Sequence, residues 1–498
     1  MNNVLIYPIL LPFATAAASL LLWRKPALQQ AVSLVGAAGH LAACTFLYAT
    51  VRGDGIQALP VGHWPAPFGI SLVADHLSVL MLMVTGILGM AAALYARGEL
   101  PAHLRAKSFH TLFHVLLGGL SGAFLTGDLF NLYVWFEVML MASFGLMTWG
   151  QRRAQFAGAV PYVVINLLAT LLFLMGLALL YGLTGTLNMA HLHQKMLTPE
   201  ARGLVTVIAF LFMAAFGIKA GMFPLFFWLP ASYHTPPTAI SALFAGMLTK
   251  VGVYALMRTF SLVFYHDMAT THGVLLVIAG LTMVTGVLGA AAQNSFRRIL
   301  SFHIISQVGY MLLGLALWTP LAMTGAVFYL VHHMIVKANL FLVSGLSRDI
   351  NGTLDLNRMG GLYRAYPLVA TLFFIPAFSL AGFPPLSGFW AKLLLIQASL
   401  QIEHYVVAAI AVVVGLMTIF SMVKIWIEAF WKPASSSDAQ EAKVPYSGWK
   451  IAPVCALALI TLLVGIGAEP VYRLAETAAL ELMAPQAYVQ AVLMEGRP

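Results

Sequence analysis

Charge is scarce in this chain. Only 9% of its 498 residues are Asp, Glu, Lys or Arg, whereas 61% are hydrophobic and mean hydropathy is +0.89. Soluble domains carry roughly 25% charged residues, so the composition excludes a water-soluble globule and points to an integral membrane protein. Cysteine is scarcer still. Cys44 and Cys455 both lie inside apolar runs, which rules out a disulfide framework and offers no iron–sulfur or zinc spacing. There is no glycine-rich dinucleotide fingerprint and no phosphate loop. Redox and nucleotide chemistry have no recognisable place, no bound cofactor is expected, and the chain is not expected to be an enzyme. His191 and His193 stand close together in a loop without a third ligand nearby, so no metal site is expected. The formal net charge of +9 would suggest nucleic acid in a soluble protein. Here the basic residues sit in short loops between apolar runs, which is the signature of membrane topology.

What is present is a succession of apolar runs. A helix needs roughly 20 such residues to cross the bilayer core, and about fourteen runs meet that length. The first, Val4 to Trp23, lacks a cleavage site and reads as a retained helix. Others lie near 71–96, 203–231 and 365–399. With the N-terminus outside, the loops richer in Lys and Arg face the cytoplasm; they hold Arg24, Lys25, Arg97, Arg152, Arg153, Arg297 and Arg348. The poorer set holds Arg52, Lys195, Arg202 and Arg258. Asp75 and Asp128 fall near helix ends and read as solvated caps. The segment 433–447 reads as a polar cytoplasmic loop. The segment after Ala468 reads as an amphipathic surface helix or a partner contact.

The few charges inside the runs carry the functional information. "FNLYVWFEVMLMASFGLM", Phe130 to Met147, contains one acid, Glu137. Lys219, Lys250, Lys337, Lys392 and Lys424 belong to no loop. Lys424 is near a helix end and can snorkel to the surface; Lys337 offers the same reading. A charge at the bilayer centre costs about 2.5–3.5 kcal/mol, so four lysines and Glu137 left unpaired would cost on the order of 10 kcal/mol. They must pair, face water or change protonation state. Burial disfavours a charged lysine and a nearby carboxylate favours it. That is the physical basis of a proton relay, and Lys, Glu and His are the residue types it needs. His332 and His333 lie in the run that holds Lys337, and His333 and Lys337, four apart, share a helix face. The structural alternatives are an acid simply paired to a lysine, Lys219 and Lys250 as its partners, and a histidine that only packs. Which of His332 and His333 relays protons stays open, and His234 serves either an aqueous mouth or a loop cap.

Two runs are interrupted. In "FGIKAGMFPLFFWLP", Pro224 has no N–H to give the carbonyl of Ala220, beside Lys219. In "FSLAGFPPLSGFWAKLLLI", Pro384 and Pro385 free the carbonyls of Leu380 and Ala381, with Lys392 following. Irregular backbone at membrane depth is tolerated where it lines a cavity or is buried in protein. Paired broken helices in two halves of a chain mark inverted-repeat transporters. The predicted fold is therefore an all-α polytopic membrane protein with about fourteen transmembrane helices and two inverted repeats with broken helices. N-terminal helices occupy 1–108, the repeats 109–262 and 272–430, and a last helix with an amphipathic tail 450–498.

"GAFLTGDLFNLYVWFEVMLMAS", "GIKAGMFPLFFWLPASYHTPPTAISALFAGMLTKVGVYAL", "RRILSFHIISQVGYM" and "FYLVHHMIVKANLFLVSG" resemble the antiporter-like subunits shared by respiratory complex I and the Mrp cation/proton antiporters. The likeness covers most of the chain and is closest to the D-subunit branch of the Mrp family. Lys392 stands where one complex I homologue typically has a glutamate, and Phe226 where complex I versions usually show a histidine, which removes one titratable group. The resemblance implies Glu137 and Lys219 as a modulating pair. It implies Lys250 and a histidine, His332 or His333, as central proton carriers, with Lys392 at the far end; Lys337, on the face of His333, stays a candidate from the reading of the buried charges. It further implies a multi-pass subunit of a hetero-oligomer in the bacterial cell (inner) membrane, without an organic cofactor, exchanging protons for sodium or another monovalent cation. The alternative is a proton-pumping subunit of complex I or a membrane-bound hydrogenase.

Overall fold

The computed structural model of the protein describes residues 3–64, 68–100, 108–197, 201–433 and 447–494. With no water in the bilayer core to bond backbone groups, apolar runs of this length satisfy themselves as helices. They are α1 (Tyr7–Leu21), α2 (Pro26–Asp54), α3 (His76–Glu99), α4 (Phe109–Leu125), α5 (Leu129–Thr148), α6 (Arg153–Thr184) and α7 (Arg202–Ala220). Next come α8 (Thr238–Leu262), α9 (Met268–Ala291), α10 (Phe296–Leu317) and α11 (Pro320–Asn351). The last are α12 (Pro367–Ala381), α13 (Ser387–Gln401), α14 (Tyr405–Trp431), α15 (Gly448–Ile466), α16 (Ala468–Met483) and α17 (Gln486–Met494). Among the described residues, 12 helices are long and apolar enough to span a membrane. The shorter α4 and the pair α12 and α13 complete the expected set of about fourteen crossings.

The helices are not equally enclosed. The apolar windows of α8, α10 and α11 are 94%, 94% and 100% buried within the chain, whereas those of α1 and α2 are 33% buried. So the centre of the bundle is built from these three helices, two of which carry Lys250, His332, His333 and Lys337. In α8 the regular winding is interrupted by a π turn, Phe244–Leu248, just before Lys250. Such insertions occur often at functional sites.

Both anticipated breaks are present, so the runs at 203–231 and 365–399 are not continuous helices. α7 stops at Gly221 (φ 78°) and α12 at Gly382 (φ 92°), where a side chain would cost roughly 1–2 kcal/mol. At each, the glycine N–H bonds carbonyls three and four residues back, and the next N–H returns to the carbonyl five back. The partners are Gly217 and Ile218 in one, Phe378 and Ser379 in the other. This is a glycine helix stop of the left-handed type, repeated with the same hydrogen-bond pattern.

Several end assignments need correction. Ser71–Ala74 is not helical; it pairs antiparallel with Gln57–Pro60, and α3 begins only at His76. Asp75 and Asp128 are caps, accepting the N–H of Ser78 at 2.9 Å and of Asn131 at 2.8 Å. Neither is solvated: they are 2% and 8% exposed. For Asp75 the reason is Arg258, which is no loop residue. It lies buried in α8 and grips the Asp75 carboxylate with two nitrogens, at 2.5 and 2.8 Å. Arg297 is likewise buried, bonded to Ser344, Thr238 and the carbonyl of Pro236. The polar loop 433–447 lies outside the described residues except at its ends.

The tail docks on its own chain. α16 buries Ala475, Ala478, Ala479 and Leu482 and leaves Arg473 and Glu469 exposed. Glu481 accepts from the backbone of His76 at 3.1 Å and bonds its ring at 2.7 Å. In α17, Tyr488 is 3% exposed, with the Arg258 guanidinium 5.3 Å from its ring centroid.

Candidate functional site

Lys250, Lys337 and Lys392 share a feature that sequence alone did not reveal: each donates to a backbone carbonyl. Lys250 Nζ bonds the carbonyl of Ala245, inside the π turn, at 2.5 Å. Lys337 Nζ bonds Leu300 of α10 at 3.1 Å. Lys392 Nζ bonds Ala381 at 2.9 Å, the carbonyl at the α12 break whose helical donor is replaced by Pro385. The exposures of the three residues are 0%, 0% and 6%. Snorkelling is therefore excluded for Lys337, which stands in the middle of a 32-residue helix. No carboxylate forms an ion pair with any of the three among the described residues. An ammonium and a neutral amine can both donate to a carbonyl, so this arrangement holds the nitrogen in place in either protonation state.

The histidines fill the space between these lysines. His332 Nδ1 bonds Ser387 Oγ at 2.8 Å, and Ser387 Oγ bonds Ser379 Oγ at 2.9 Å across the second break. Both nitrogens of His333, and Nε2 of His332, are buried without a protein partner. His333 lies where Lys250, Lys337, His332 and His303 all act on it electrostatically. Lys337 in turn is reached by Lys250 and Lys392. Thus the structure brings Lys250, His333, Lys337, His332 and Lys392 into one connected group across α8, α11 and α13.

The reading from sequence missed several members of that group. His303 on α10 is fully buried, has two nitrogens without a protein partner, and is acted on by Lys337 and Lys392. Tyr310 lies under Lys392, its ring centroid 5.2 Å from Nζ, and stacks on Tyr329 at 5.3 Å. Tyr329 donates to Gln307 and packs against both His332 and His333. His303, Gln307 and Tyr310 stand at i, i+4 and i+7, so helix periodicity applied to "HIISQVGY" would have found this polar face. Counting from the two glycine stops, Ser387 occupies the place after the second that Phe226 holds after the first. So the second break carries a hydrogen-bonding side chain at the position where the first carries an apolar one.

Glu137 and Lys219 form a separate station. Both are partly buried. They share no ion pair or hydrogen bond, which removes the reading of Glu137 as an acid simply paired to a lysine. Lys219 Nζ instead stands 5.0 Å from the ring centroid of Phe136, the neighbour of Glu137, and the carboxylate charge acts on it across the gap. Oε1 of Glu137 is buried without a protein donor. Lys219 also lines a cavity of about 30 Å³ with Asn166, Tyr162 and, from α8, Leu248 and Val251. That is on the order of one water, set between Lys219 and the helix of Lys250.

Two further groups lie outside the connected set. His234 Nδ1 donates to the carbonyl of Pro230 at 2.9 Å and so caps its own short helix. Lys424 bonds the carbonyls of Ala291 and Gln293, at 3.2 and 2.9 Å, at the C-terminal end of α9, where a cation is favoured. Lys424→Met is therefore expected to lower stability by roughly 1–2 kcal/mol and to leave transport rates unchanged. Thermal unfolding and flux measured on one preparation check both halves.

The chain is similar to known proteins along nearly its whole length. Residues 126–418 match the family described as NADH:quinone oxidoreductase/Mrp antiporter, transmembrane. The D subunit of the Na(+)/H(+) antiporter of Alkalihalophilus pseudofirmus is 47% identical over 496 residues, covering 99% of this chain and 100% of the relative. Among solved structures, a chain of the Mrp complex from Dietzia sp. DQ12-45-1b superimposes with a TM-score of 0.90 at 35% identity, covering 99% of this chain and 100% of that one. A chain of the membrane-bound sulfane sulfur reductase, an archaeal respiratory membrane complex, does so with a TM-score of 0.90 at 25% identity, covering 98% and 100%. The glycine-stopped helices, the buried lysines and these likenesses together place the chain in the transmembrane family common to NADH:quinone oxidoreductase and the Mrp antiporters.

Proposed function

We propose that this chain is a membrane subunit of a multisubunit monovalent cation (Na+)/proton antiporter in the bacterial cell (inner) membrane, working beside other subunits of an Mrp-type hetero-oligomer. The observation that carries the reading is the set of three lysines at membrane depth, each held by a carbonyl and by no carboxylate. A subunit that served only as a scaffold would gain stability by replacing such groups with apolar residues. Glu137, when charged, holds Lys219 protonated from a short distance. When that influence weakens, the proton passes by way of the small cavity toward Lys250. It then moves through His333 or His332, with Lys337, to Lys392. The proton-motive force drives this movement and outward movement of the cation is coupled to it. The work is transport, with no covalent change to any substrate. The units 109–262 and 272–430 act as two related halves, an assignment supported by the matching stops at Gly221 and Gly382.

The equally good superposition on the archaeal respiratory complex supports one second reading. The same relay would be driven by electron transfer in other subunits, as in complex I or a membrane-bound hydrogenase. The test is cation-induced dequenching of a pH dye in inverted vesicles, with the full gene cluster expressed in an antiporter-deficient host. Collapse of a respiration-driven gradient by sodium or potassium supports antiport. A fully assembled complex that responds to no cation overturns it in favour of the redox-driven pump.

A further inference from the structure

The outer edge of the bundle holds a basic recess that the relay does not use. It is a cavity of about 400 Å³, lined by Tyr48 and Arg52 from the end of α2, His76 from the start of α3, and Arg473, Leu474 and Thr477 from α16. Glu469 also lines it and bonds Arg473 Nε at 2.7 Å. Arg52 is exposed and has no ion-pair partner among the described residues. Two guanidiniums in the lining therefore face one carboxylate. An arginine in the last turn of a helix can serve the helix dipole alone. That does not account for Arg473, which reaches the same recess from another helix, on the side of the membrane where basic residues are the minority.

Below the recess runs a furrow. From His76 to Arg97, α3 is buried except for one stripe, in which His76, Met83, Ile87, Met90, Leu94 and Arg97 are half-buried. Their spacing of seven, four and three puts them on one helix face. On one side of the stripe Gly86 lies against Leu41 of α2, and Thr45 of α2 bonds the Met83 sulfur at 3.6 Å. On the other side Gly98 lies against Trp449 and Lys450 at the start of α15. So α3 is the floor of a furrow walled by α2 and α15. Arg97 closes its cytoplasmic end, 3.9 Å from the Trp449 ring centroid. From His76 to Ile87 the helix rises about 16 Å, roughly half of the hydrocarbon core and so the depth of one leaflet.

A basic recess above an apolar furrow has the charge and shape of an anionic phospholipid. Guanidiniums bind phosphate oxygens in pairs, and basic pockets between membrane helices hold phospholipid head groups. The recess also lies at head-group level, because α16 is amphipathic, with Ala475 and Ala478 buried and Arg473 and Glu469 exposed. A partner's transmembrane helix would fill the furrow and leave the charge of the recess unanswered. We propose that this site binds an anionic phospholipid of the outer leaflet, its phosphate on Arg52 and Arg473 and one acyl chain along Met83 and Ile87. The bound lipid ties α2 to α16 across the start of α3. The inference does not depend on which ion the complex exchanges.

The test uses the full multisubunit complex in phosphatidylcholine nanodiscs. A trace of phosphatidylglycerol with a photoactivatable diazirine in its acyl chain is added, and labelled peptides are mapped after irradiation. Label is expected on Met83 or Ile87. The same diazirine chain on phosphatidylcholine, which has no net charge, is expected to label these residues at least about fivefold less. The phosphatidylglycerol probe is expected to lose as much on the assembled double variant Arg52→Gln, Arg473→Gln. A smaller difference in either comparison shows ordinary contact with bulk lipid and overturns the proposal. No label on α3 shows that protein fills the furrow and overturns it too. Millimolar inorganic phosphate is expected to leave the labelling unchanged; displacement of the label shows a site for free anions and overturns the lipid assignment. Should the variant fail to assemble, the comparison of the two probes on wild type decides alone.

Discussion

Glu137→Gln is expected to reduce antiport at least about a hundredfold in a complex that assembles normally. The substitution keeps the size of the side chain and its capacity to hydrogen-bond, and removes one charge. In a structural account that is a mild change, because Glu137 holds no ion pair and Oε1 has no protein donor to lose. In the relay account the charge itself is the working part. It acts on Lys219 without touching it, while the lysine Nζ stands 5.0 Å from the Phe136 ring centroid. Lys219→Met should then match Glu137→Gln in severity, and the double variant should be no worse than either, since both remove the same step. Glu137→Asp keeps the charge and moves it back by one methylene, so it should retain an intermediate rate. Dye dequenching in inverted vesicles gives the rate, and a blot of the intact complex gives assembly. An assembled Glu137→Gln complex with wild-type flux would sink the mechanism.

Arg258→Met is expected to prevent stable accumulation of the chain, at a cost of roughly 3–5 kcal/mol. Asp75 is 2% exposed and bound through both oxygens to Arg258; without the guanidinium its charge is stranded. Burial alone would raise the Asp75 carboxyl, but Arg258 more than offsets it and holds the group below the usual carboxylate range. The sign follows from that. A carboxyl lowered in the folded state contributes stability that is fully present above its ordinary value, about 3.9, and lost only as pH falls through the lower folded value. The pair is therefore intact at neutral pH, and no mild acidification substitutes for the mutation. Replacing both partners, Asp75→Leu with Arg258→Met, leaves no stranded charge and should restore much of the stability. Yield and thermal unfolding of the complex check this. Equal loss in the single and double variants would show that the pair has another role, for instance in holding Tyr254 and Ser78, both of which also bond Arg258.

Much of this was legible in the sequence because bilayer physics leaves few choices. Long apolar runs had to be helices, proline at membrane depth had to break them, and a charge left inside a run had to do something. The prediction that Pro385 frees the Ala381 carbonyl near Lys392 was confirmed by the hydrogen bond between them. What stayed hidden depended on contacts between distant segments. Arg258 looked like a loop residue because its partner, Asp75, lies 183 positions away. Asp75 and Asp128 looked solvated because periodicity does not show that a tail helix will cover one helix end. His303 is hidden for the same reason: a single histidine in an apolar run carries little information, and only its place beside Lys337 and Lys392 makes it part of the group.

The Asp75–Arg258 pair also sets a timetable for making the protein. At roughly 5–20 residues per second, the ribosome needs on the order of 10–40 s to travel the 183 residues between the two. Throughout that interval α3 must be handed from the insertion machinery to the membrane with an acid that has no counter-charge. Glu481, which pins the start of α3 from 405 positions away, emerges later still. The nascent chain therefore has to be sheltered, or held at the water-facing edge of the bilayer, until α8 arrives. The clasp on the front of α3 closes only after Glu481 has emerged, so a chain halted before that residue leaves this helix end open.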